Sequence, residues 1–219
     1  MRGKIDRYAY IESAANVIQS GKPLFETIKG NWNKIYFKNS NHLSVELACG
    51  RGEYTNGLAS CFPNHNYIGV DIKGDRIWKG SKTAFDAKLD NVGFLRTFIH
   101  EIENFFEENE LDEIWLTFPD PRPKDKDEKR RLTHPRFLEY YKKLLKPNGW
   151  FRLKTDSTSL FDYTLEILNN RSDILEMEYT YNLDDSDLKL EHFGIQTHYE
   201  KLFSGKGEKI KYLKLRFKQ

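Results

Sequence analysis

Cysteine is nearly absent from this sequence: Cys49 and Cys61 are the only two among 219 residues. Two thiols cannot build a disulfide framework, and no C-x-x-C pair stands ready for zinc. The six histidines are scattered without H-x-x-x-H spacing, so no metal is expected. No apolar run approaches the length of a membrane span. The opening MRGKIDRYAY has no apolar signal core, which leads us to expect a cytoplasmic protein without a membrane partner. Charge of one sign is also lacking. Thirty-five basic residues face 33 acidic ones, a net charge of +2, so total charge points to no polyanionic partner. Repeats and low-complexity segments are missing as well.

What is present is a regular alternation of short apolar runs with amphipathic segments from about residue 43 onward. LSVELAC (43–49), NYIGVD (66–71), NVGFLR (91–96), LDEIWLTF (111–118), WFRLKT (150–155) and ILEMEYT (174–180) read as strands. Between them, helices are predicted near 53–61, 74–90, 100–109, 134–146 and 159–170, with Pro147-Asn148-Gly149 as a breaker. KIKYLKLRF (209–217) alternates cleanly and predicts a half-exposed antiparallel edge strand. The whole reads as an α/β Rossmann-like, doubly wound, mostly parallel sheet with a C-terminal antiparallel strand, its ligands at the carboxyl ends of the strands. Residues 1–40 lack the alternation and read as an N-terminal extension with a helix; 41–219 form the main domain. The stretch 181–208 is longer than an ordinary connection, which suggests a functional loop.

The first strand runs into Glu46-Leu47-Ala48-Cys49-Gly50-Arg51-Gly52. Glycines in a strand-to-helix turn let the backbone approach a ligand closely. The spacing is not the G-x-G-x-x-G of dinucleotide folds, and an acid precedes it. A carboxylate there repels a pyrophosphate and suits a cation, such as the sulfonium and ammonium of S-adenosyl-L-methionine. Asp71, ending the second strand, fits an acid that accepts from both ribose hydroxyls. Read singly, Glu46 is an ordinary strand-edge acid and Asp71 a helix cap.

After the fourth strand comes FPDPRPKDKDEKRRL (118–132). Pro119, Pro121 and Pro123 fix φ and lack an N–H, which excludes helix and central strand. From Arg122 to Arg131 six basic residues face three acidic ones, and from Lys201 to Gln219 seven face one. Such segregation permits local fields although the total is near zero.

These segments together resemble the tRNA (guanine-N7-)-methyltransferase family. The counterparts of its motifs are Glu46 to Gly52, Tyr67 to Asp71, Pro119 to Lys124 with Lys129 to Leu132, Lys154-Thr155-Asp156, and Thr197 to Glu200. The resemblance implies a class I S-adenosylmethionine-dependent methyltransferase domain over 41–219. It also implies methyl transfer to N7 of the variable-loop guanine (position 46 by tRNA convention) by direct in-line displacement. It assigns Glu46, Gly50, Gly52, Asp71, Phe98 and Asp120 to the cofactor, and Lys124, Asp156, Thr197 and Glu200 to the substrate. Lys126, Lys129, Arg130 and Arg131 fall in its RNA-interacting stretch. Three positions depart from the family pattern: Ala48 stands at a glycine, Arg122 at a tryptophan and Phe98 at an acid. The adenine contact is therefore expected from backbone or from packing on Phe98.

Guanine N7 carries a free lone pair, so positioning and electrostatics can carry the reaction without a general base. Asp120 is expected to organise cofactor and base together, and Asp156 or Glu200 to read the guanine edge. Read alone, Asp156 caps the next helix and Glu200 is a surface acid. Two other functions remain open at this level: a methyltransferase with another RNA or small-molecule acceptor, and a tRNA-binding relative with impaired catalysis. Sequence leaves monomer and homodimer equally open.

Overall fold

The computed structural model describes residues 3–205 and 207–219. Along the chain run α1 (Lys4–Ser13), β1 (Val17–Ile18), β2 (His42–Leu47), α2 (Glu53–Cys61), β3 (His65–Asp71), α3 (Gly74–Asp86) and β4 (Val92–Arg96). There follow β5 (Leu111–Thr117), α4 (Pro135–Leu144), β6 (Leu145–Thr155), α5 (Thr158–Asn169), β7 (Ile174–Thr180), α6 (His198–Ser204) and β8 (Lys211–Phe217). Among the described residues these make one eight-stranded sheet, ordered β1-β4-β3-β2-β5-β6-β8-β7. All pairings are parallel up to β6, and β8 runs antiparallel to both its neighbours.

Alternation along the strands separates two cores, because successive side chains leave a strand on opposite faces. Leu43, Val45, Leu47, Ile68, Val70, Ile114 and Leu116 pack with Phe137, Leu138 and Tyr141 of α4 and Phe161 and Leu165 of α5. Tyr67, Phe94 and Trp115 point the other way, to Ile11 of α1, Tyr54 and Leu58 of α2, and Ile77 and Ala84 of α3. β2 lies between β3 and β5, where the strand order reverses, so the carboxyl ends of β2 and β5 border the natural ligand crevice.

The C-terminal strand differs from its sequence reading. β8 is antiparallel but interior, with Tyr212, Leu213 and Leu215 fully buried, and β7 holds the edge. Its lysines do not face open solvent. Lys214 pairs with Glu178 and Glu191, Arg216 with Glu176, and Lys211 donates to the Asp156 carbonyl. The alternation that read as apolar against solvated is apolar against ion-paired. Other boundaries shift too. Residues 99–104 form a 3-10 segment, and the first 40 residues contribute β1 to the far edge. Pro147-Asn148-Gly149 sits in an irregularity of β6, between the pairings Leu111–Leu145 and Glu113–Trp150.

A charged cluster is buried on the β5–β6–β8 surface. The Arg152 guanidinium donates to Glu113, Glu191 and the Tyr212 hydroxyl, while Glu113 also accepts from the Trp115 indole at 2.7 Å. Glu191 thereby pins the long 181–208 connection onto the sheet.

Phe94 fills room left by three glycines. A Cβ at Gly52, Gly69 or Gly80 would lie 2.6, 2.9 or 2.7 Å from its ring, so one side chain packs the strand-2 turn, β3 and α3 together. Phe94→Ala is expected to cost about 3–5 kcal/mol, read as a lower urea midpoint; a loss below about 1 kcal/mol contradicts this packing role.

Candidate active site

The turn after β2 is built from left-handed residues. Ala48 (φ 58), Gly50 (φ 56) and Gly52 (φ 65) all lie there, and Gly52 opens α2. A Cβ at Gly50 meets nothing within 4 Å, so it would project into open space; Gly52 is closed by the Phe94 ring. Ala48 adopts a conformation costing a non-glycine residue roughly 1–2 kcal/mol. Across the tip, the Gly50 N–H donates to Asp71 at 3.0 Å, and the Lys73 N–H to the same carboxylate at 2.8 Å. Asp71 is thus both a local cap and a brace for the turn.

Glu46 is 3% exposed. Its carboxylate accepts from the Thr55 N–H at 2.8 Å and from the hydroxyls of Thr55 and Thr117. Those bonds join the tip of β2 to the first turn of α2 and the tip of β5. Burial pushes the carboxyl up from 4.5 to about 7, the bonds oppose the rise, and the Asp71 charge adds to it. Glu46 lines a hollow of about 180 Å³ with Ala48, Gly50, Tyr54, Thr117 and Phe118, closed by Thr197, His198 and Tyr199. A neighbouring hollow, sharing Ala48, is lined by Asp71, Thr97, Phe98, His100 and Arg122. Phe98 is 49% exposed and stacks on His100 at 5.2 Å.

Glu46 and Asp71 therefore open onto adjoining hollows. Asp120 and Asp156 line neither. Asp120 is exposed between Phe118, which lines the first hollow, and Arg122, which lines the second. It accepts from the Arg122 N–H at 3.2 Å and guanidinium at 3.1 Å. Phe118 (φ 51) and Arg122 (φ 47) both hold left-handed backbone, which fixes this loop in a strained shape.

Asp156 is half-buried and does not cap α5; Ser157 does, accepting from the Leu160 N–H at 3.2 Å. The Asp156 carboxylate has no hydrogen bond or ion pair among the described residues. Glu200 is neither a surface acid nor a free reader of bases. It is 2% exposed and pairs with the fully buried Lys154 at 2.8 Å. Thr197 accepts from the Glu200 N–H at 3.1 Å, and the His198 N–H donates to Glu53 at 2.7 Å, so the start of α6 is clamped over the first hollow. Lys124, Lys126, Lys129 and Arg130 are exposed, Arg130 beside Asp127 at 3.0 Å. Arg131 instead stacks on the Tyr163 ring at 4.3 Å and donates to the Arg122 carbonyl, which ties the loop to α5.

Sequence reasoning missed Lys154 as the partner of Glu200, although the two belong to motifs it singled out. It also missed Glu101, an acid near the end of β4 that accepts from the Thr97 hydroxyl at 3.1 Å. The signal for Glu101 was its place one short turn beyond Phe98.

Comparison with known proteins gives a consistent result. A family model described as "Putative methyltransferase" matches residues 40–213. A tRNA (guanine-N(7)-)-methyltransferase of Cytophaga hutchinsonii is 44% identical over 217 residues, 99% of this chain and 98% of that one. One from Christiangramia forsetii is 43% identical over 230 residues, covering 99% of each. Among solved structures, the 16S rRNA methyltransferase KamB matches with a TM-score of 0.63 at 12% identity, over 85% of this chain and 92% of that one, which shows a shared fold.

Two outcomes follow from the buried charges. Between pH 4.5 and about 7 the folded chain keeps a Glu46 proton that the unfolded chain has shed, so stability should fall as pH rises through that window. Glu46→Gln should flatten that part of the profile in thermal melts, and an unchanged profile would contradict the raised carboxyl. Glu200→Ala strands a buried ammonium and should cost about 3–5 kcal/mol; Lys154→Met with Glu200→Leu should recover most of it. Denaturant titration of the three proteins checks this, and equal losses in the single and double variants would refute it.

Proposed function

The chain belongs to the tRNA (guanine-N(7)-)-methyltransferase family, and from that premise we propose how its own residues methylate N7 of the variable-loop guanine. The carrying observation is Glu46: a buried carboxyl held near neutrality, on the wall of the hollow at the strand tips, lies where a cation stabilises its charged form. Gly50 leaves space on the hollow's wall, which fits S-adenosyl-L-methionine. When bound, that donor supplies a sulfonium methyl group that N7 takes directly.

We assign Glu46, Gly50 and Gly52 to the amino-acid side of the donor, and Asp71 and Phe98 to its ribose and adenine side in the adjoining hollow. Asp120, on the ridge between the hollows, is the catalytic residue, facing the cationic purine that methylation creates. Its stiff proline loop and left-handed neighbours hold it there, so the favourable charge is in place before the reaction. Of the two acids expected to read the guanine edge, Asp156 has the carboxylate unengaged among the described residues and takes that role. Glu200 positions Thr197 through its pair with Lys154. Lys124 sits on the substrate side of the loop, Lys126, Lys129 and Arg130 contact phosphates, and Arg131 braces them from α5. No protein nucleophile is needed, and burial holds the Cys49 thiol well above its ordinary value, in the unreactive protonated form. No helix among the described residues is long and apolar enough to cross a membrane; in this reading the enzyme works on tRNA in the cytoplasm.

The test is methyl transfer from labelled S-adenosylmethionine to unmodified tRNA transcripts. Guanine at the variable-loop site should accept the methyl group, whereas adenine or 7-deazaguanine there should not. Asp120→Ala should lower kcat by about a hundredfold or more. Methylation of the 7-deaza transcript, or normal turnover by Asp120→Ala, would contradict the assignment.

A further inference from the structure

We propose that a second phosphate-binding surface for tRNA lies on the α1–α3 flank, across the sheet from the proline loop; this rests on the tRNA reading above. A groove there is lined by Arg7 of α1, Arg51 of the glycine turn, and Arg76, Trp78 and Lys79 of α3. Four cations meet one acid, Asp75. None of the four makes an ion pair among the described residues, in contrast to Lys211, Lys214 and Arg216, whose head groups are engaged within the fold. The Arg7 guanidinium lies over the Trp78 ring at 4.9 Å, which sets its plane and leaves its outer edge for a phosphate fork. Its Nε and the Trp78 indole N–H are buried without an acceptor, so the wall is short of acceptors as well as of negative charge.

Placement selects the occupant. α1 and α3 pack on the Phe94 and Trp115 face, whereas Arg131 anchors the basic loop to α5 on the other. The strand tips with Glu46 and Asp120 lie between the two cationic surfaces. A small anion can touch only one of them; an extended polyanion that delivers a base to the tips touches both. The groove shares Arg51 and Arg76 with the Glu46 hollow, so a donor carboxylate is the competing occupant. Arg7 and Lys79 line only the groove and separate the two cases.

The experiment compares Lys79→Glu, Arg7→Gln and wild type for tRNA affinity across roughly 0.05 to 0.2 M salt, and for S-adenosylhomocysteine affinity by calorimetry. Lys29→Glu, near Glu107 at the amino end of the sheet, is the control for bulk charge. We expect the two groove variants to bind tRNA roughly three- to tenfold more weakly, with a salt slope shallower by about one for each phosphate no longer neutralised. S-adenosylhomocysteine affinity should stay unchanged, and Lys29→Glu should match wild type. Lys79 is exposed, so its variant remains informative if Arg7→Gln disturbs packing. Unchanged tRNA affinity and slope in a wild-type-like enzyme that methylates tRNA overturn the groove alone. Loss of S-adenosylhomocysteine affinity with tRNA binding intact assigns the groove to the donor and overturns the proposal. An equal effect from Lys29→Glu reduces it to bulk charge and overturns it too. Wild-type protein that binds no tRNA overturns the groove and the function on which it rests.

Discussion

One buried carboxylate organises the strand tips. Removing a carboxylate from water is costly, and Glu46 persists there because two hydroxyls and the first turn of α2 compensate it. Those bonds fix the positions of β2, α2 and β5 relative to one another, and the glycine turn hangs from the same point. The compensation is incomplete, which leaves the group near neutrality rather than fully charged. A site that already holds its geometry but still favours a nearby positive charge is prepared for a cationic ligand without rearrangement.

The second half of the site is held by charge. Among the described residues, the segment after β7 buries Leu183, Ile195 and Ile210 and rests Leu188 and Phe193 on the core. It is fastened further by Arg152 and Lys214 to Glu191, and by Lys154 to Glu200. Within the basic C-terminal stretch, Lys214 and Arg216 are likewise taken up in ion pairs. Among the accessible cations outside the pairs are those on the proline loop and the set Arg7, Arg51, Arg76 and Lys79. A net charge of +2 thus conceals two cationic flanks around an acidic crevice.

Some of the chain's backbone strain lies at the same tips. Ala48, Phe118 and Arg122 hold left-handed conformations at a cost of order 1–3 kcal/mol each. The packing of Phe94 and the hydrogen bonds of Asp71 and Asp120 sustain them. Rigid loops around a reaction driven by alignment lower the entropy of reaching the reactive geometry.

The sequence alone determined the order of the main strands and helices, though not β1 or α6, because a strand's alternation, a glycine turn and a proline run are local properties of neighbouring residues. Glu46, Asp71 and the 118–132 loop were legible for that reason. What only the tertiary structure decided was which charges are free. Lys154 and Glu200 lie 46 residues apart and Arg152 and Glu191 lie 39 apart, so no local pattern reveals that they neutralise each other. Tertiary contact likewise turned β8 from an expected edge into an interior strand and gave the α5 cap to Ser157 rather than Asp156. Ionic pairing depends on distance and burial in space, and a linear sequence records neither.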